Sequence, residues 1–437
     1  MKNNWWKYIL FIILICNKSN TTAQEYSLEQ CINYALSHNY EIKDNNLNLL
    51  NEEINLKSQK NNFLPTINAE INNGLASGFQ QTFSETSAGE YESVKSYVNN
   101  AIVDVSMDLW NAGARRVLVK RQEMIVNSIE SQNANRIIYI KSDVIEKFYK
   151  LAIAQKSVEI SLQNCQMQDS NVIIAQKLYE IGNRSYRDVM DAKTNLGQDS
   201  IQLQKDINNK ILCNLELKLA MNCNDSIEII VNDLLDNREI PTFDLFYENA
   251  ININPEINAK KIEVTSAEFQ LEYYKRIQYP TLSLNYELGT QGQKFMNAEN
   301  IKFSRQWENN SYQTLFLSLK IPIFNQLKYK NDISKAKIDI DQKQNKLEQR
   351  LQTLRNELET VYLGVVQSKN IADMSQNNAN KCQQQYNFAL QDFKLGNIAS
   401  YELNVYKNKY ISSQLQAIEA EYEFLYRLAI LNLFKEQ

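Results

Sequence analysis

The chain has 437 residues, a formal net charge of −4, five prolines and ten glycines. So few prolines and glycines exclude a loop-rich protein, because these two residues interrupt helices and strands. The 47 basic and 51 acidic side chains are interspersed, so the chain lacks the basic patch of a nucleic-acid-binding protein.

The N-terminus has the features of an export signal. Lys2 and Lys7 flank a short charged region, an apolar run follows at 8–16, and residues 21–23 provide small side chains for cleavage. The apolar run is too short for a transmembrane helix, which needs ~20 apolar residues. We therefore predict a signal peptide at residues 1–23.

Six cysteines occur, and they form no motif of a metal site or a disulfide framework. Cys16 falls inside the predicted signal peptide, where lipidation of this residue is a second interpretation that the sequence leaves open. The remaining cysteines are odd in number and include no Cys-x-x-Cys pair, so we interpret them as apolar packing residues. They are Cys31, Cys165, Cys213, Cys223 and Cys382.

The rest of the chain is a duplicated half-molecule, with a first structural repeat at residues 24–235 and a second at 236–437. Each repeat reads helix, strand, strand, very long helix, Gly-containing tip, helix. The spacing between matching positions is nearly constant and far longer than the ~20–50 residues of a solenoid repeat. The matched pairs include Asn39 and Asn254, Pro65 and Pro280, Gly74 and Gly289, Ser96 and Ser311, Asn111 and Asn325, and Gly182 and Gly396.

Two long segments without proline, 114–181 and 328–395, predict helices that exceed the size of an ordinary domain. At ~1.5 Å per residue each helix would be roughly 100 Å long. Apolar residues recur at alternating steps of four and three, which is the pattern of a coiled-coil seam. In the second helix the seam is Leu347, Leu351, Leu354, Leu358, Val361 and Val365.

Shorter helices are predicted on either side of the strands and the long helices. They lie at 27–60 and 185–221 in the first repeat and at 242–276 and 399–434 in the second. In each repeat their summed length matches that of the long helix, so we expect the two short helices to stack end to end beside it. The predicted helical part is therefore a rod of coiled coils.

Two segments in each repeat alternate between apolar and polar residues, as strands crossing an outer membrane do. They lie at 67–72 and 103–109 in the first repeat and at 281–288 and 315–323 in the second. Long polar loops are expected between them, at 76–93 and 290–310. The polar side carries charged residues that we predict to line a pore, namely Glu70, Asp104, Asp108, Glu287 and Lys320.

Four strands are too few to close a barrel, and an open sheet edge in lipid leaves backbone groups unpaired at several kcal/mol each. Closure therefore needs several chains. Two chains would give eight strands, whose interior is filled by side chains, whereas three would give twelve and leave room for a pore. A water-filled lumen favours three chains.

The two tips and the starts of the strands carry further motifs in the same order in both halves. Pro65 and Pro280 each begin a strand. The first tip reads Tyr179-Glu180-Ile181-Gly182 and continues to Asp188-Val189-Met190-Asp191-Ala192; the second reads Phe393-Lys394-Leu395-Gly396 and continues to Tyr401-Glu402-Leu403. With the duplication, this ordered set resembles the TolC family of outer-membrane efflux channels over essentially the whole mature chain.

The resemblance implies a homotrimer in the cell outer membrane, with a helical tunnel in the periplasm. The implied fold class is mainly α with a small membrane β part, a long coiled-coil α-barrel plus a four-strand contribution to a trimeric twelve-stranded β-barrel. The implied function is the exit duct of a tripartite efflux or type I secretion system. Its partners would be a periplasmic adaptor protein, an inner-membrane transporter and outer-membrane lipid, without cofactor, metal or nucleic acid.

In the family, the closed periplasmic mouth is held by an acidic ring and by Tyr and Arg tethers between neighbouring tip helices. The corresponding second-tip positions keep only one of these residues, Glu402, because the others are Phe393, Ile398 and Val405. The first tip has the full set, so we predict the gate residues to be Tyr179, Arg184, Asp188, Asp191 and Glu402. The alternative is that the aspartates are solvated charges in the first turn of a helix, where the helix dipole favours them.

Both tips contain residues suited to a left-handed turn. Glycine adopts that conformation at little cost, and asparagine tolerates it. The resemblance implies that these turns also dock the adaptor. The residues concerned are Gly182, Asn183, Gly396 and Asn397.

An enzyme is not predicted, because the sequence has one histidine, His38, and no phosphate loop, metal-ligand spacing or nucleophile motif. The competing interpretation is an exported periplasmic coiled-coil adaptor or structural protein. Adaptors usually have a single hairpin, whereas both halves of this sequence insert a strand pair before a long helix. The duplication therefore favours the channel.

Overall fold

The computed structural model describes residues 24–84, 87–223, 229–231, 240–296 and 302–434. The predicted signal peptide, with Cys16, lies outside these residues. The described residues of ranges 1–46, 131–258 and 349–437 form one compact unit, and those of 47–130 and 259–348 form a second. Each unit draws on both sequence repeats, and the repeat limits at 24–235 and 236–437 remain a prediction.

Most of the described chain is helical. The helices are α1 (Leu28–His38), α2 (Tyr40–Asn61), α3 (Ala114–Glu180), α4 (Tyr186–Met221), α5 (Phe243–Ile253), α6 (Pro255–Arg276), α7 (Phe303–Asn309), α8 (Lys328–Lys394) and α9 (Ser400–Leu433). The predicted long helices are confirmed as α3 and α8, each of 67 residues. In the described helices no stretch is both long enough and apolar enough to cross a membrane.

The first short helix of each half is broken in two, where the sequence predicted one continuous helix. Asn39 ends α1 in an extended conformation, and its side-chain oxygen accepts hydrogen bonds from the backbone N–H groups of Glu41 at 2.8 Å and Ile42 at 3.2 Å. Asn254 accepts from the N–H of Ile257 at 3.0 Å. Each asparagine therefore caps the next helix, which compensates for the interrupted backbone ladder.

The strands form two separate sheets. A four-stranded antiparallel sheet has the order β2 (Thr66–Ser84), β3 (Ser87–Trp110), β5 (Thr281–Phe295) and β6 (Tyr312–Lys320). This is the predicted four-strand contribution of one chain. A short parallel pair, β1 (Gln24–Tyr26) with β4 (Ile229–Val231), was not predicted.

The loops predicted between the strands are partly wrong. Strands β2 and β3 continue through most of 76–93, because the backbone pairing runs on beyond the alternating segment to Ser84 and Ser87. Strand β5 likewise continues to Phe295, and α7 occupies part of 290–310. The last strand ends at Lys320, before Pro322, which has no N–H to donate to a ladder.

The strand register separates an apolar face from a polar face. Directly opposed residues of neighbouring antiparallel strands share a face. One row across the four strands is apolar and consists of Ile67, Val105, Tyr286 and Leu315. The adjacent row is polar and consists of Asn68, Asp104, Glu287 and Thr314. The predicted alternation is confirmed.

The predicted coiled-coil seam of α8 is buried over most of its length. Leu354 is 1% exposed, and Leu347, Leu358 and Val365 are also buried. Burying such a side chain stabilises the fold by ~1.5–3 kcal/mol relative to leaving it in water. The helices therefore obtain a substantial part of their stability within one chain.

Candidate functional site

The first tip, residues 178–192, turns the chain from α3 into α4. Gly182 has a φ of +78°. Its N–H donates to the carbonyl of Tyr179 at 2.9 Å, and the N–H of Asn183 donates to the carbonyl of Leu178 at 2.9 Å. This pair of bonds is a Schellman motif, which satisfies the last carbonyls of a helix and requires a left-handed residue.

The second tip, residues 392–405, has the same turn between α8 and α9. Gly396 has a φ of +80°. Its N–H donates to Phe393 O at 3.0 Å, and the N–H of Asn397 donates to Asp392 O at 2.9 Å. The two glycines therefore have the same structural role, a left-handed helix end in each half, whereas Asn183 and Asn397 do not adopt the left-handed conformation.

Arg184 connects the two tips of the same chain. Its Nη2 donates to the carbonyl oxygens of Gly396 and Ile398, both at 2.6 Å. The side chain of Asn183 lies over Gly396, where an added Cβ would come within 2.6 Å of Nδ2. The guanidinium predicted as a tether to a neighbouring chain is thus engaged within its own chain.

The two predicted gate aspartates of the first tip have different environments. The Asp188 carboxylate accepts hydrogen bonds from the backbone N–H of Ser185 at 3.3 Å and from its hydroxyl at 3.0 Å. It therefore caps α4 and is half-buried. Asp191 is exposed, as is Glu402 of the second tip, where Ala399 precedes the helix and offers no capping oxygen.

The aromatic residues of the tips also separate into surface and core. Tyr179 is 42% exposed, and its ring lies 5.5 Å from that of Tyr186 in the next helix. Phe393, at the matching position of the second tip, is 1% exposed. The phenylalanine is therefore a packing residue, whereas the tyrosine keeps part of its ring at the surface.

A shared apolar core supports both tips. All four helices contribute to it, with Ala175 from α3, Val189 and Ala192 from α4, Tyr386, Ala389 and Phe393 from α8, and Leu403 from α9. Ile398 packs against the same core. Burial raises the pKa of Tyr386, which keeps its hydroxyl protonated. The two tips of one chain thus form one packed body.

A buried ion pair, which was not predicted from the sequence, lies behind this core. Lys407 is wholly buried, and its Nζ lies 2.6 Å from Asp199 Oδ2 and 2.9 Å from Gln168 Oε1. Lys407 follows Leu403 by four residues and precedes Tyr410 by three, which is coiled-coil spacing, so this lysine lies on the buried seam of α9. A charged residue at an apolar seam position was the feature of the sequence that could have identified the ion pair.

The predicted pore-lining residues all lie on the polar face of the sheet. Asp104 is directly opposite Glu287, and it accepts a hydrogen bond from Asn68 at 3.1 Å. Glu287 accepts one from the hydroxyl of Tyr312 at 2.6 Å. The predicted set also includes Glu70, Asp108 and Lys320. The Asp108 carboxylate forms a salt bridge with Arg115.

The described residues do not bring together three or more histidine, cysteine, aspartate or glutamate side chains in a metal-binding arrangement. His38 lies at the end of α1, with its ring stacked on Tyr34 at 4.2 Å and its Nδ1 2.8 Å from Ser37 Oγ. These contacts are local, within one turn of the same helix.

Solved structures of outer-membrane channels share this fold. The channel OprN has 14% sequence identity and a TM-score of 0.79, with 93% of this chain and 89% of that chain covered. VceC from Vibrio cholerae has 14% identity and a TM-score of 0.76, with 93% and 96% covered. CmeC from Campylobacter jejuni has 14% identity and a TM-score of 0.75, with 100% and 88% covered.

The sequence itself matches a family model described as outer membrane efflux protein, over residues 31–221 and 246–433. No curated protein sequence matches the chain significantly. The two matched segments cover most of the chain and include both tips and all four strands of the larger sheet. The chain therefore belongs to the outer membrane efflux protein family, and it is an exit duct for efflux in the outer membrane.

Proposed function

We propose that three copies of this chain close a twelve-stranded barrel whose lumen continues into a helical tunnel. The observation that carries this proposal is the four-stranded sheet, in which β2 and β6 each have one edge without a partner strand among the described residues. In lipid, unpaired backbone groups cost several kcal/mol each, so such edges must be covered. Pairing β6 of one chain with β2 of the next covers the edge of β6 and the facing part of β2 once the ring closes.

The two faces of the sheet support the same arrangement. Leu315, Leu317 and Leu319 on the apolar face of β6 are exposed in the single chain. In a closed barrel these side chains contact lipid, and the polar face turns towards water. Homotrimers are the smallest assembly in which four strands per chain leave an open lumen.

The proposed lumen prefers cations. Glu70, Asp104, Asp108 and Glu287 share the polar face with one lysine, Lys320, and Asp108 is also paired with Arg115, so carboxylates remain in excess in each chain. Repeated around a ring, the uncompensated carboxylates attract cations and disfavour anions.

Ion selectivity tests the lumen assignment. The purified protein is reconstituted in a planar bilayer, and its reversal potential is measured in a salt gradient. We expect cation selectivity that falls in the double variant Asp104→Asn with Glu287→Gln and is kept in the control Glu29→Gln, which changes an exposed carboxylate on α1. Absence of conductance, or equal selectivity in all three proteins, would contradict the proposal.

In this duct the tips form the periplasmic end, where an adaptor and an inner-membrane transporter deliver the substrate. The left-handed turns at Gly182-Asn183 and Gly396-Asn397 are held together by Arg184, so they present one rigid docking surface. The gate carboxylates are then Asp191 and Glu402, because both are exposed.

Divalent-cation block tests the gate assignment. Replacing Asp191 by Asn together with Glu402 by Gln removes the exposed carboxylates and should weaken block of the conductance by divalent cations. Asp188→Asn should leave the block nearly unchanged, because the Asp188 carboxylate already accepts hydrogen bonds from Ser185. The reverse result would assign the gate to Asp188.

A further inference from the structure

The buried ion pair behind the tips joins three helices. Lys407 on α9 contacts Asp199 on α4 and Gln168 on α3, and the amide nitrogen of Gln168 in turn donates to the carbonyl of Ala192 on α4 at 3.0 Å. Lys407 is 0% exposed, and the side chain of Asp199 is 13% exposed. The network therefore links the helix that follows the first tip to the helix that follows the second.

The energetics of such a pair point away from a purely stabilising role. A buried ion pair can often be replaced by apolar side chains without loss of stability, because desolvation offsets the attraction. Removing one partner alone is costly, since the other charge is left buried. A buried polar group on a coiled-coil seam is, however, well suited to fix the register of one helix on another.

We infer that Lys407 is a positioning residue, which fixes α9 against α4 and α3 and thereby determines where the exposed carboxylates Asp191 and Glu402 lie. Asp191 precedes Asp199 on α4, and Glu402 precedes Lys407 on α9, so each gate carboxylate shares a helix with one partner of the pair. The inference rests on the proposed gate, and it adds the internal contact that holds the gate helices together.

Cys165 is a reporter that the chain itself provides. It lies one turn before Gln168 on α3. Burial raises the pKa of its thiol, nearby Asp199 raises it further, and the hydrogen bond with Ser200 and the charge of Lys407 lower it. Since the thiolate is the reactive form, removing Lys407 from an unchanged structure would slow alkylation of Cys165. Separation of the helices would instead speed it by exposing the thiol.

The test compares site-specific alkylation rates in the detergent-extracted protein. Iodoacetamide is added to the wild type, to Lys407→Met and to the control Lys409→Met, which changes an exposed lysine on the same helix. Labelled peptides are quantified by mass spectrometry. We expect Lys407→Met to speed alkylation of Cys165 severalfold, because the thiol becomes more exposed when the helices separate. The control should match the wild type.

A second variant separates the electrostatic effect from the positional one. Asp199→Asn with Lys407→Met removes both charges, so that no buried charge remains unpaired, and it keeps the variant testable if the single change does not fold. We again expect faster alkylation of Cys165. Unchanged or slower alkylation of Cys165 in both variants would overturn the inference.

Two buried cysteines distinguish local release from general unfolding. Cys31 is 0% exposed on α1, and Cys382 is 3% exposed on α8. If Lys407 is a positioning residue, these two thiols keep their wild-type rates while Cys165 reacts faster. Faster alkylation of all three would show that the pair merely stabilises the fold. Neither outcome depends on whether the trimer conducts, so the inference and the proposed function fail separately.

Discussion

Leucine side chains are exposed on the larger sheet and buried along the seam of a long helix. On strand β6, Leu317 is 60% exposed, and on strand β2, Leu75 is 74% exposed. On helix α8, Leu354 and Leu358 are 1% and 0% exposed. The seam residues of α8 are buried within one chain, whereas the apolar face of the sheet is uncovered. The difference supports the proposal that the sheet contacts lipid and further copies of the chain.

The largest effect is expected from a charge on the apolar face of the sheet. Leu317→Arg places a cation where we propose lipid contact, at a cost of ~2–4 kcal/mol per chain if the site lies near the bilayer midplane. We expect the variant to be lost from the outer-membrane fraction. Fractionation followed by quantification of folded protein measures this.

The matched control is Ser318→Arg, on the neighbouring residue of the same strand. Ser318 pairs with Ser283 on the polar face, whereas Leu317 pairs with Leu284 on the apolar face. The control should therefore reach the outer membrane. Equal loss of both variants would mean that the two faces do not differ in their surroundings.

A seam substitution in the helices should be costly for a different reason. Leu358→Ala leaves a cavity in a packed core and should lower the free energy of unfolding by ~2–5 kcal/mol. Leu319→Ala on the exposed face of β6 should cost less, because lipid can fill the space. Unfolding in detergent, followed by the circular dichroism of the helices, measures both. A larger loss for Leu319→Ala would contradict the proposed lipid contact.

The smallest effects are expected in the backbone of the tips. Gly182→Ala puts a side chain into a left-handed conformation at ~1–2 kcal/mol. Gly396→Ala should cost more, because its Cβ would also meet Asn183 Nδ2 at 2.6 Å. The control is Gly197→Ala within α4, which has free space around it and should stabilise the helix by up to ~1 kcal/mol. Thermal unfolding ranks the three variants; a neutral Gly182→Ala would remove the conformational role of that turn.

The sequence predicted the features that depend on periodicity along the chain. The limits of α3 and α8 follow from long segments without proline that end at the glycine-containing tips, and the polar and apolar faces of the sheet follow from alternation. The break at Asn39 was missed because a single asparagine is compatible with a helix interior, and its capping of the next helix depends on local hydrogen bonds rather than on periodicity. The break at Asn254 could have been predicted, because Pro255 has no N–H for the helix ladder and is favoured at the first position of a new helix.

The site residues were harder to predict, because their roles depend on contacts between distant parts of the chain. Arg184 binds carbonyl groups of the second tip, more than 200 residues away in sequence, and no local pattern contains that contact. Asp188 was predicted as a gate residue, and its hydrogen bond to Ser185 is that of a helix cap, a role that was not predicted. Lys407 was overlooked, although its seam position could have identified it.

The central claim is that three chains share one barrel, and the mass of the detergent-extracted particle tests it most directly. Light scattering corrected for bound detergent gives the protein mass of particles from the outer membrane. We predict the mass of three mature chains. A monomer that stays in solution without detergent would contradict the account, because its sheet would then need neither lipid nor a second chain.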